Sequence, residues 1–320
     1  MSAVTLRQAA DFLLSNDHYT ILTHRRPDGD TVGCAVALCR ALRGLGKTAS
    51  VLQNPQFTPR YLPYLEGLTA DTADFCVVSV DIASEGLFPQ SYSGAVALGI
   101  DHHGSNTGYA ALHFTDGSRA ACGEILWELL GLLGAEITPQ IADALYFAIT
   151  TDTGCFRYSN TTPETLRIAA KLMECGADTV SLNRTMFELK TRARFLLEAY
   201  LTRELRTYGG GKIGICILPE KVKREIGATE DDADSIAGFA RDLEGVELSV
   251  LLRDLPDGQC KLSVRTDDRL WNASEICRVL GGGGHSAAAG ATVSGSIEDG
   301  RTAALAAIAS VTGLDTREDA

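Results

Sequence analysis

Short apolar runs alternate with helical patterns over the first half of the chain, and this alternation limits the possible folds more than any other feature of the sequence. Five runs indicate strands, at Tyr19–His24, Ala49–Leu52, Phe75–Asp81, Val96–Asp101 and Ala111–Phe114. The runs are apolar almost throughout, which is typical of parallel strands that are buried on both faces. Helical patterns over residues 4–15 and Val32–Leu45 lie before and after the first run. The sequence therefore predicts an α/β fold with a doubly wound, mainly parallel sheet.

The pattern changes in the second half of the chain. Helical patterns dominate from Arg119 to about Tyr208, the last of them over residues 179–207, and three glycines then interrupt the sequence. Strand patterns follow at Ile213–Leu218, Leu248–Asp254 and Gln259–Arg265. Because 320 residues exceed the usual size of one domain, two domains are expected. We predict a first domain over residues 1–190, a helical connector over 191–208 and a smaller α/β domain over 209–320.

Histidine and aspartate residues follow three of the predicted strands. They are His24 at the end of the first strand with Asp28 and Asp30 in the loop after it, Asp81 at the end of the third strand, and Asp101, His102 and His103 at the end of the fourth. Ligands of open α/β sheets bind outside the carboxyl ends of the strands. Carboxylates that converge there repel one another unless a cation neutralises them. The sequence therefore predicts a metal centre at this edge of the sheet.

The types of these side chains narrow the choice of metal. The set combines imidazole and carboxylate without cysteine, which suits manganese, iron or magnesium better than a structural zinc site. The candidates are too many for one ordinary metal site. Two ions about 3.5–4 Å apart that share a bridging carboxylate would use them all, as in many phosphatases and nucleases.

Two further polar clusters lie outside these strands. Asp152 lies in TTDTGCFRYSN, residues 150–160, where the neighbouring threonines and Arg157 favour a polar site, although a turn at the end of a helix is the alternative. The run GGGGHSAAAG, residues 281–290, exposes backbone N–H groups, and we predict that a helix begins near Ser286. This arrangement is typical of a phosphate-binding loop, with a flexible turn as the alternative.

Together these motifs resemble those of a known family. Four of them are similar, in kind and order, to the motifs of the DHH phosphoesterase family: HRRPDGD at 24–30, Asp81, DHH at 101–103 and TDTG at 151–154. GGGGHSAAAG is similar to the signature of the C-terminal domain found in one branch of that family. Chain length and this signature resemble the bacterial oligoribonuclease (nano-RNase) group, whose members also remove the 3′-phosphate of 3′-phosphoadenosine 5′-phosphate.

The resemblance implies two divalent metal ions, with manganese preferred, and a role for each residue near them. One ion would be held by His24, Asp28 and Asp81. The other would be held by Asp30, Asp81, His102 and Asp152, so that Asp81 bridges the two. Asp101 would fix the tautomer of an imidazole, and His103 and Arg157 would offset charge on the substrate phosphate.

The resemblance also implies that the C-terminal domain binds the nucleotide. The residues concerned are Arg265, Gly281, Gly282, Gly283, Gly284 and His285. The expected partners are short RNA oligonucleotides or small nucleotides, and a homodimer is compatible with the sequence. Nano-RNA, 3′-phosphoadenosine 5′-phosphate, and cyclic di-AMP with its linear product pApA all remain open as substrates.

Charge and composition exclude other classes of protein. The net charge of −12 and the isoelectric point of about 5.0 argue against binding long duplex DNA. No uncharged apolar run reaches membrane-spanning length, and none of the nine cysteines forms a C-x-x-C pair, so we expect a reduced cytoplasmic protein without membrane contact. The first strand lacks a following Gly-x-Gly-x-x-Gly, which argues against a Rossmann oxidoreductase. A nucleotide sensor without catalysis is a further alternative, and the complete ligand set argues against it.

Overall fold

The computed structural model describes residues 1–73, 76–234, 236–255 and 257–319. Its backbone separates into two compact units, Met1–Leu189 and Lys190–Ala320. None of the described helices is both long enough and apolar enough to cross a membrane.

The first unit is built around a parallel sheet. Its strands are β1 Ser2–Ala3, β2 Tyr19–Leu22, β3 Ala49–Leu52, β4 Thr69–Ala70, β5 Cys76–Val80, β6 Leu98–Asp101 and β7 Leu112–Thr115. Its helices are α1 Leu6–Ser15, α2 Gly29–Gly44, α3 Leu62–Leu65, α4 Cys122–Leu133, α5 Pro139–Asp152, α6 Pro163–Glu174 and α7 Thr179–Asn183, with a 3-10 helix at Glu85–Leu87 and a π-helical turn at Arg184–Glu188. The predicted strand that contains Asp81 was drawn from Phe75, which lies outside the described residues.

The order of the strands is β1-β7-β6-β5-β2-β3-β4, and every neighbouring pair is parallel. From β2 the chain moves outward to β3 and β4, and it then returns to β5 and continues to the opposite edge. The direction of winding therefore reverses between β2 and β5, which is where ligands bind in doubly wound sheets. The predicted fold class is confirmed.

The two faces of this sheet are covered differently. One face packs against helices α1, α2, α4 and α5 in a large apolar core, in which Phe147, Leu38 and Leu13 are fully buried. The other face holds a smaller cluster around Leu22 and Val96, and the chain between β5 and β6 covers it. The strands are thus buried on both faces, as their apolar sequences predict.

Two glycines allow α2 and α5 to pack closely. A Cβ atom at Gly33 would lie 2.4 Å from the carbonyl oxygen of Ala144, and one at Gly29 would lie 2.3 Å from Thr151. Only hydrogen fits at these positions, so a larger residue would push the helices apart. This packing brings Asp152, the last residue of α5, to the beginning of α2.

The second unit contains a mixed sheet. Its strands are β8 Arg206–Tyr208, β9 Ile213–Leu218, β10 Leu248–Asp254, β11 Gln259–Thr266, β12 Gly283–Gly284 and β13 Ala288–Ser294, in the order β12-β13-β11-β10-β9-β8. Its helices are α8 Arg192–Glu204, α9 Glu220–Ile226, α10 Glu230–Asp234, α11 Ala273–Val279 and α12 Ile297–Thr312, with a 3-10 helix at Phe239–Asp242. Among the described strands of this unit, only β9 and β10 pair in parallel.

The sequence predicted one helix over residues 179–207, and this prediction is wrong. Helix α7 ends in the π-helical turn, and α8 begins afresh after Thr191, whose side chain accepts a hydrogen bond from the N–H of Arg194 at 2.9 Å. Leu197 and Leu201 of α8 are fully buried in an apolar cluster of the second unit. The stretch predicted as a separate connector is therefore part of that unit.

The prediction that a helix begins near Ser286 is also wrong. Residues 288–294 form β13, which pairs with β11 over seven positions, from Gln259↔Ser294 to Arg265↔Ala288. Ala289 and Ala291 face the core with the two-residue period of a strand. Alanine has a high intrinsic helix propensity, but β11 pairs with this segment along its whole length, and that tertiary pairing decides its conformation.

Candidate metal centre

The predicted metal ligands lie together at the carboxyl edge of the first sheet. They are His24 after β2, Asp28 and Asp30 at the start of α2, Asp81 after β5, His102 after β6, and Asp152 at the end of α5. The Asp28 carboxylate accepts hydrogen bonds from the N–H groups of Asp30 and Thr31 at 3.1 and 3.2 Å. The turn that begins α2 therefore fixes the orientation of this carboxylate.

These side chains form two groups that share one residue. In the first, His24 Nε2 lies 3.4 Å from Asp28 Oδ1 and 3.9 Å from Asp81 Oδ2. In the second, His102 Nε2 lies 3.2 Å from Asp152 Oδ2 and 3.8 Å from Asp30 Oδ2. His102 Nε2 is also 3.5 Å from Asp81 Oδ1. The two oxygens of Asp81 thus approach different histidines, as a bridging carboxylate would.

Two atoms at the centre of this arrangement have no hydrogen-bond partner among the described residues. They are Asp81 Oδ1 and His102 Nε2, and both are buried. Buried polar atoms in native proteins are nearly always paired. A divalent cation would be a common partner for both, and carboxylate with imidazole is a donor set that such cations accept. The residues present therefore fit the metal ions that the motifs imply.

The backbone at Asp81 is strained. Its φ angle is +58°, in the left-handed region that residues other than glycine rarely adopt. Such a conformation costs on the order of 1–3 kcal/mol and persists only where the surrounding structure enforces it. Here the N–H of Asp81 donates a hydrogen bond to the carbonyl oxygen of Ile100 at 2.9 Å. This conformation directs the Asp81 side chain, at the end of β5, toward His24 and His102.

Asp30 is fixed by a helix that is distant in sequence. Its carboxylate accepts hydrogen bonds from the N–H groups of Cys122 and Gly123, at 2.6 and 2.9 Å, and from the thiol of Cys34 at 3.3 Å. The two N–H groups belong to the first turn of α4, whose own N-cap residue, Ala121, makes no side-chain cap. Asp30 therefore caps α4, and the positive end of that helix favours the ionised carboxylate.

The electrostatics of the site are unfavourable without a cation. Burial raises the pKa of both Asp30 and Asp81 well above its ordinary value, and repulsion from neighbouring carboxylates raises each further. Burial lowers the pKa of His102, but the nearby carboxylates of Asp152 and Asp30 outweigh it and raise this pKa to about 9. A cation would reverse these preferences, because metal ligands are ionised carboxylates and neutral imidazoles.

A backbone contact sets the tautomer of His102. Its Nδ1 atom lies 3.1 Å from the carbonyl oxygen of Arg119, to which it donates as an N–H group. The Arg119 side chain is held in turn by Asp116 and Glu128, at 3.1 and 2.6 Å. With its proton on Nδ1, His102 presents the lone pair of Nε2 to the carboxylates, which is the form a metal ligand needs.

His103 is held in a different way. Its Nδ1 atom lies 2.8 Å from Asp101 Oδ1, which is shorter than the 3.5 Å from Nδ1 to Asp81 Oδ1. The other oxygen of Asp101 accepts a hydrogen bond from Asn106 Nδ2 at 2.6 Å. Burial raises the pKa of Asp101, but the hydrogen bonds from His103 and Asn106 outweigh it and lower this pKa. An ionised Asp101 therefore holds the Nδ1 atom of His103, and the Nε2 atom on the other side of the ring remains available for another contact.

Asn106 was not predicted from the sequence. Besides Asp101, its side-chain amide donates to the carbonyl oxygen of Ile82 at 3.1 Å and accepts from the N–H of Gly108 at 2.7 Å. All the polar atoms of its side chain are thus committed to holding the Asp101 loop. Its position three residues after DHH was the only available signal, and a lone asparagine in a loop is more often a turn residue.

We predict that Asn106→Ala lowers kcat about tenfold, with KM and metal content nearly unchanged. Residues that orient the side chains of a metal site through hydrogen bonds are typically worth about 10–100-fold in activity or affinity. Loss of the amide donor raises the pKa of Asp101. On acidification the variant should therefore lose activity at a higher pH than the wild type does. A pH profile of kcat for wild type and variant checks this. Asn16→Ala, at the exposed end of α1, is the control. An unshifted profile would reduce Asn106 to a structural role.

Arg157 lies outside the contacts of the ligand set. Its side chain is exposed, and its Nε donates to the carbonyl oxygen of Gly154 at 2.6 Å. Gly154, Cys155 and Phe156 have φ angles of 55°, 57° and 64°, so the chain turns sharply after Asp152. No hydrogen bond or ion pair in the described part of the chain joins Arg157 to the metal-ligand candidates.

In the second unit, Arg265 and His285 lie in one row of the sheet. Arg265 of β11 pairs with Ala288 of β13, and Ala288 exchanges backbone hydrogen bonds with His285 at 2.9 and 3.2 Å. Residues in register on neighbouring strands point to the same face, so these two side chains share a face with only an alanine between them. His285 is exposed.

Most of the predicted substrate-binding glycines have structural reasons to be glycine. Gly281 has a φ angle of 74° just after α11, and Gly284 has a φ angle of 146°. A Cβ atom at Gly282 would lie 2.2 Å from the carbonyl oxygen of Gly290, whereas one at Gly283 would meet nothing within 4 Å. The loop follows the C-terminus of α11. The prediction of a phosphate site at the N-terminus of a helix is therefore wrong.

Residues 18–149 match the DHH family, N-terminal domain, and residues 210–313 match the DHHA1 domain. Over 279 residues the chain is 37% identical to a protein of Thermus thermophilus named bifunctional oligoribonuclease and PAP phosphatase NrnA. That alignment covers 86% of this chain and 84% of the relative.

The chain belongs to the DHH family. A Bacillus subtilis protein of the same name is 28% identical over 285 residues, covering 86% of this chain and 89% of that protein. The crystal structure of an exopolyphosphatase-related protein from Bacteroides fragilis has the same fold, with a TM-score of 0.86, 20% identity and coverage of 96% of both chains. The DHH match contains every metal-ligand candidate except Asp152, which lies just after its end, and the DHHA1 match contains Arg265 and residues 281–285.

Proposed function

We propose that this protein is a two-metal hydrolase of phosphate esters in small nucleotides, which cleaves short oligoribonucleotides to mononucleotides and 3′-phosphoadenosine 5′-phosphate to AMP. The observation that carries the proposal is the buried carboxylate of Asp81, whose two oxygens approach His24 and His102 separately. The names of the Thermus and Bacillus relatives support the substrate class.

Asp81 would be a ligand of both metal ions. His24, Asp28 and Asp81 would hold one ion, and Asp30, Asp81, His102 and Asp152 would hold the other. Two bound ions supply charge that stabilises the phosphoryl oxygens and a nucleophilic water at neutral pH. Manganese is the preferred ion, because oxygen ligands with two imidazoles suit it.

The remaining residues act on the substrate. In its doubly protonated form His103 donates one hydrogen bond from Nδ1 to the ionised Asp101, at 2.8 Å, and a second from Nε2 to a phosphoryl oxygen. Arg157 adds positive charge from the exposed turn after Asp152. In the second unit, Arg265 and His285 bind the nucleotide on their shared face of the sheet, and Gly283 lets the substrate approach the backbone closely. The enzyme acts in the cytoplasm, and it is compatible with a homodimer.

The direct test is turnover by the purified protein with Mn²⁺ on pApA, 3′-phosphoadenosine 5′-phosphate and cyclic di-AMP, measured side by side. We expect AMP from the first two and little cleavage of the cyclic dinucleotide. Dominant cleavage of cyclic di-AMP would instead identify a cyclic dinucleotide phosphodiesterase. Tight binding of all three without any product would favour a nucleotide sensor and contradict the proposal.

A further inference from the structure

We infer that a cavity beside the candidate metal centre binds the second nucleoside of a short oligoribonucleotide, the one joined through its 5′-oxygen to the phosphate that is cleaved. The inference rests on the proposed function and adds a subsite to it. The cavity lies wholly within the first unit and has a volume of about 430 Å³. Pockets of roughly 300–1,000 Å³ are typical for small ligands, so a nucleoside has room.

The cavity adjoins the metal ligands through two segments of the chain. Arg25 forms one wall and directly follows His24, and eight residues between 85 and 94, a segment that follows Asp81 along the chain, form the rest. The N–H of Arg25 donates to the carbonyl oxygen of Leu87 at 2.6 Å and joins the two segments. They leave neighbouring strands β2 and β5, so the cavity borders the point at which the winding of the sheet reverses. A substrate phosphate at the metal ligands would have this cavity as its neighbour.

The walls carry the chemistry that recognises a nucleoside. Phe88 supplies an aromatic surface whose position is fixed, because the rings of Tyr92 and Tyr109 pack edge-on against it with centroids 5.8 and 5.1 Å away. The hydroxyl of Tyr92 is itself anchored to the carbonyl oxygen of Ala95 at 2.6 Å. Bases bind to aromatic side chains through their faces without regard to sequence.

Polar groups complete the walls. Arg25 is exposed and forms no ion pair in the part of the chain that the structure describes. Gln90 is also exposed and offers both a donor and an acceptor, and the carboxylate of Glu85 can accept from a ribose hydroxyl. An apolar wall with a few polar groups at its edge is the usual composition of a small-molecule site.

The two proposed substrates differ in the part that would enter this cavity. In 3′-phosphoadenosine 5′-phosphate the phosphate that is removed carries a single nucleoside, through its 3′-oxygen. In pApA the same phosphate carries a second nucleoside through the 5′-oxygen. A subsite for that second nucleoside is therefore used by the dinucleotide and left empty by the mononucleotide, so the two substrates report on it differently.

The test compares kcat and KM for both substrates in wild type, Arg25→Ala and Gly86→Leu. A Cβ atom at Gly86 would meet only the Ser84 hydroxyl, at 3.9 Å, so a leucine can partly fill the cavity without displacing the backbone. We expect KM for pApA to rise on the order of tenfold in each variant, as for the loss of one base contact. The values for 3′-phosphoadenosine 5′-phosphate should stay within about twofold of wild type. Arg26→Ala is the control, since Arg26 is an exposed arginine that does not line the cavity.

Each other outcome has a definite meaning. Equal losses on both substrates would overturn the subsite and place Arg25 at the shared phosphate. Unchanged KM for pApA in both folded variants would overturn it as well. If the wild-type protein turns over neither substrate, the proposed function is overturned, and the subsite with it. That result differs from a loss seen only in the variants, so failure of the proposed function and failure of the subsite are distinguishable.

Discussion

Asp81→Asn is expected to abolish turnover and, at the same time, to make the metal-free protein more stable. Asparagine keeps the shape of the side chain but cannot bridge two cations as a carboxylate does. We expect kcat with Mn²⁺ to fall by roughly 10³-fold or more, since the loss of even one charge-stabilising group at an active site costs about 10²–10³-fold. Metal content measured on the purified variant should fall with it.

The gain in stability follows from the raised pKa of Asp81. A folded-state pKa above the ordinary value of 3.8 means that protonation stabilises the fold. That stability is present below the unfolded pKa and is lost as the pH rises through the folded one. The neutral amide avoids this loss, so the free energy of unfolding of the metal-free variant at pH 7 should exceed that of metal-free wild type by about 1–3 kcal/mol.

Thermal unfolding in the presence of a chelator measures this difference. For a unit of this size each kcal/mol corresponds to about 2–4 °C in Tm. With Mn²⁺ present the order should reverse, because only the wild type gains stability by binding the ions. Asp11→Asn, the same change on the exposed side of α1, is the control and should alter neither property. Wild-type turnover by Asp81→Asn would rule out the bridging assignment.

His103→Ala is expected to lower kcat by roughly 10²–10⁴-fold while both metal ions stay bound, because a positioned donor or acid is worth that much. The side chain of His103 is 33% exposed, whereas that of His102 is 12% exposed and lies among three carboxylates. His103 already uses Nδ1 on Asp101, so its free nitrogen is available to substrate. The loss should appear equally in kcat for pApA and for 3′-phosphoadenosine 5′-phosphate.

Metal content separates this role from that of a ligand. His103 also lies with Asp81 and His102 in a group whose ligand atoms are close enough together to hold a metal ion. If His103→Ala loses a metal ion together with its activity, His103 is a ligand and the proposed role on the phosphate is wrong. His18→Asn is a suitable control, since His18 is exposed, lies before β2 and has a φ angle of 60° that asparagine tolerates.

The sequence by itself determined the parallel sheet of the first unit and the chemical identity of its ligands. Apolar strands and amphipathic helices have short periods that a local stretch of sequence displays. Parallel strands also deliver their carboxyl ends to one edge, so His24, Asp81 and His102 could be placed together before the fold was known. The strands β9, β10 and β11 were predicted for the same local reason.

Only the tertiary structure decided the details that depend on contacts between distant segments. It showed that Gly29 and Gly33 let α5 bring Asp152 to the site, and that the first turn of α4 holds Asp30. It also showed that Asn106 fixes Asp101 and that residues 288–294 pair with β11 as a strand. Such contacts leave no periodic signal, because they join residues whose separation along the chain is arbitrary, and the free energy of packing and pairing there outweighs local propensity.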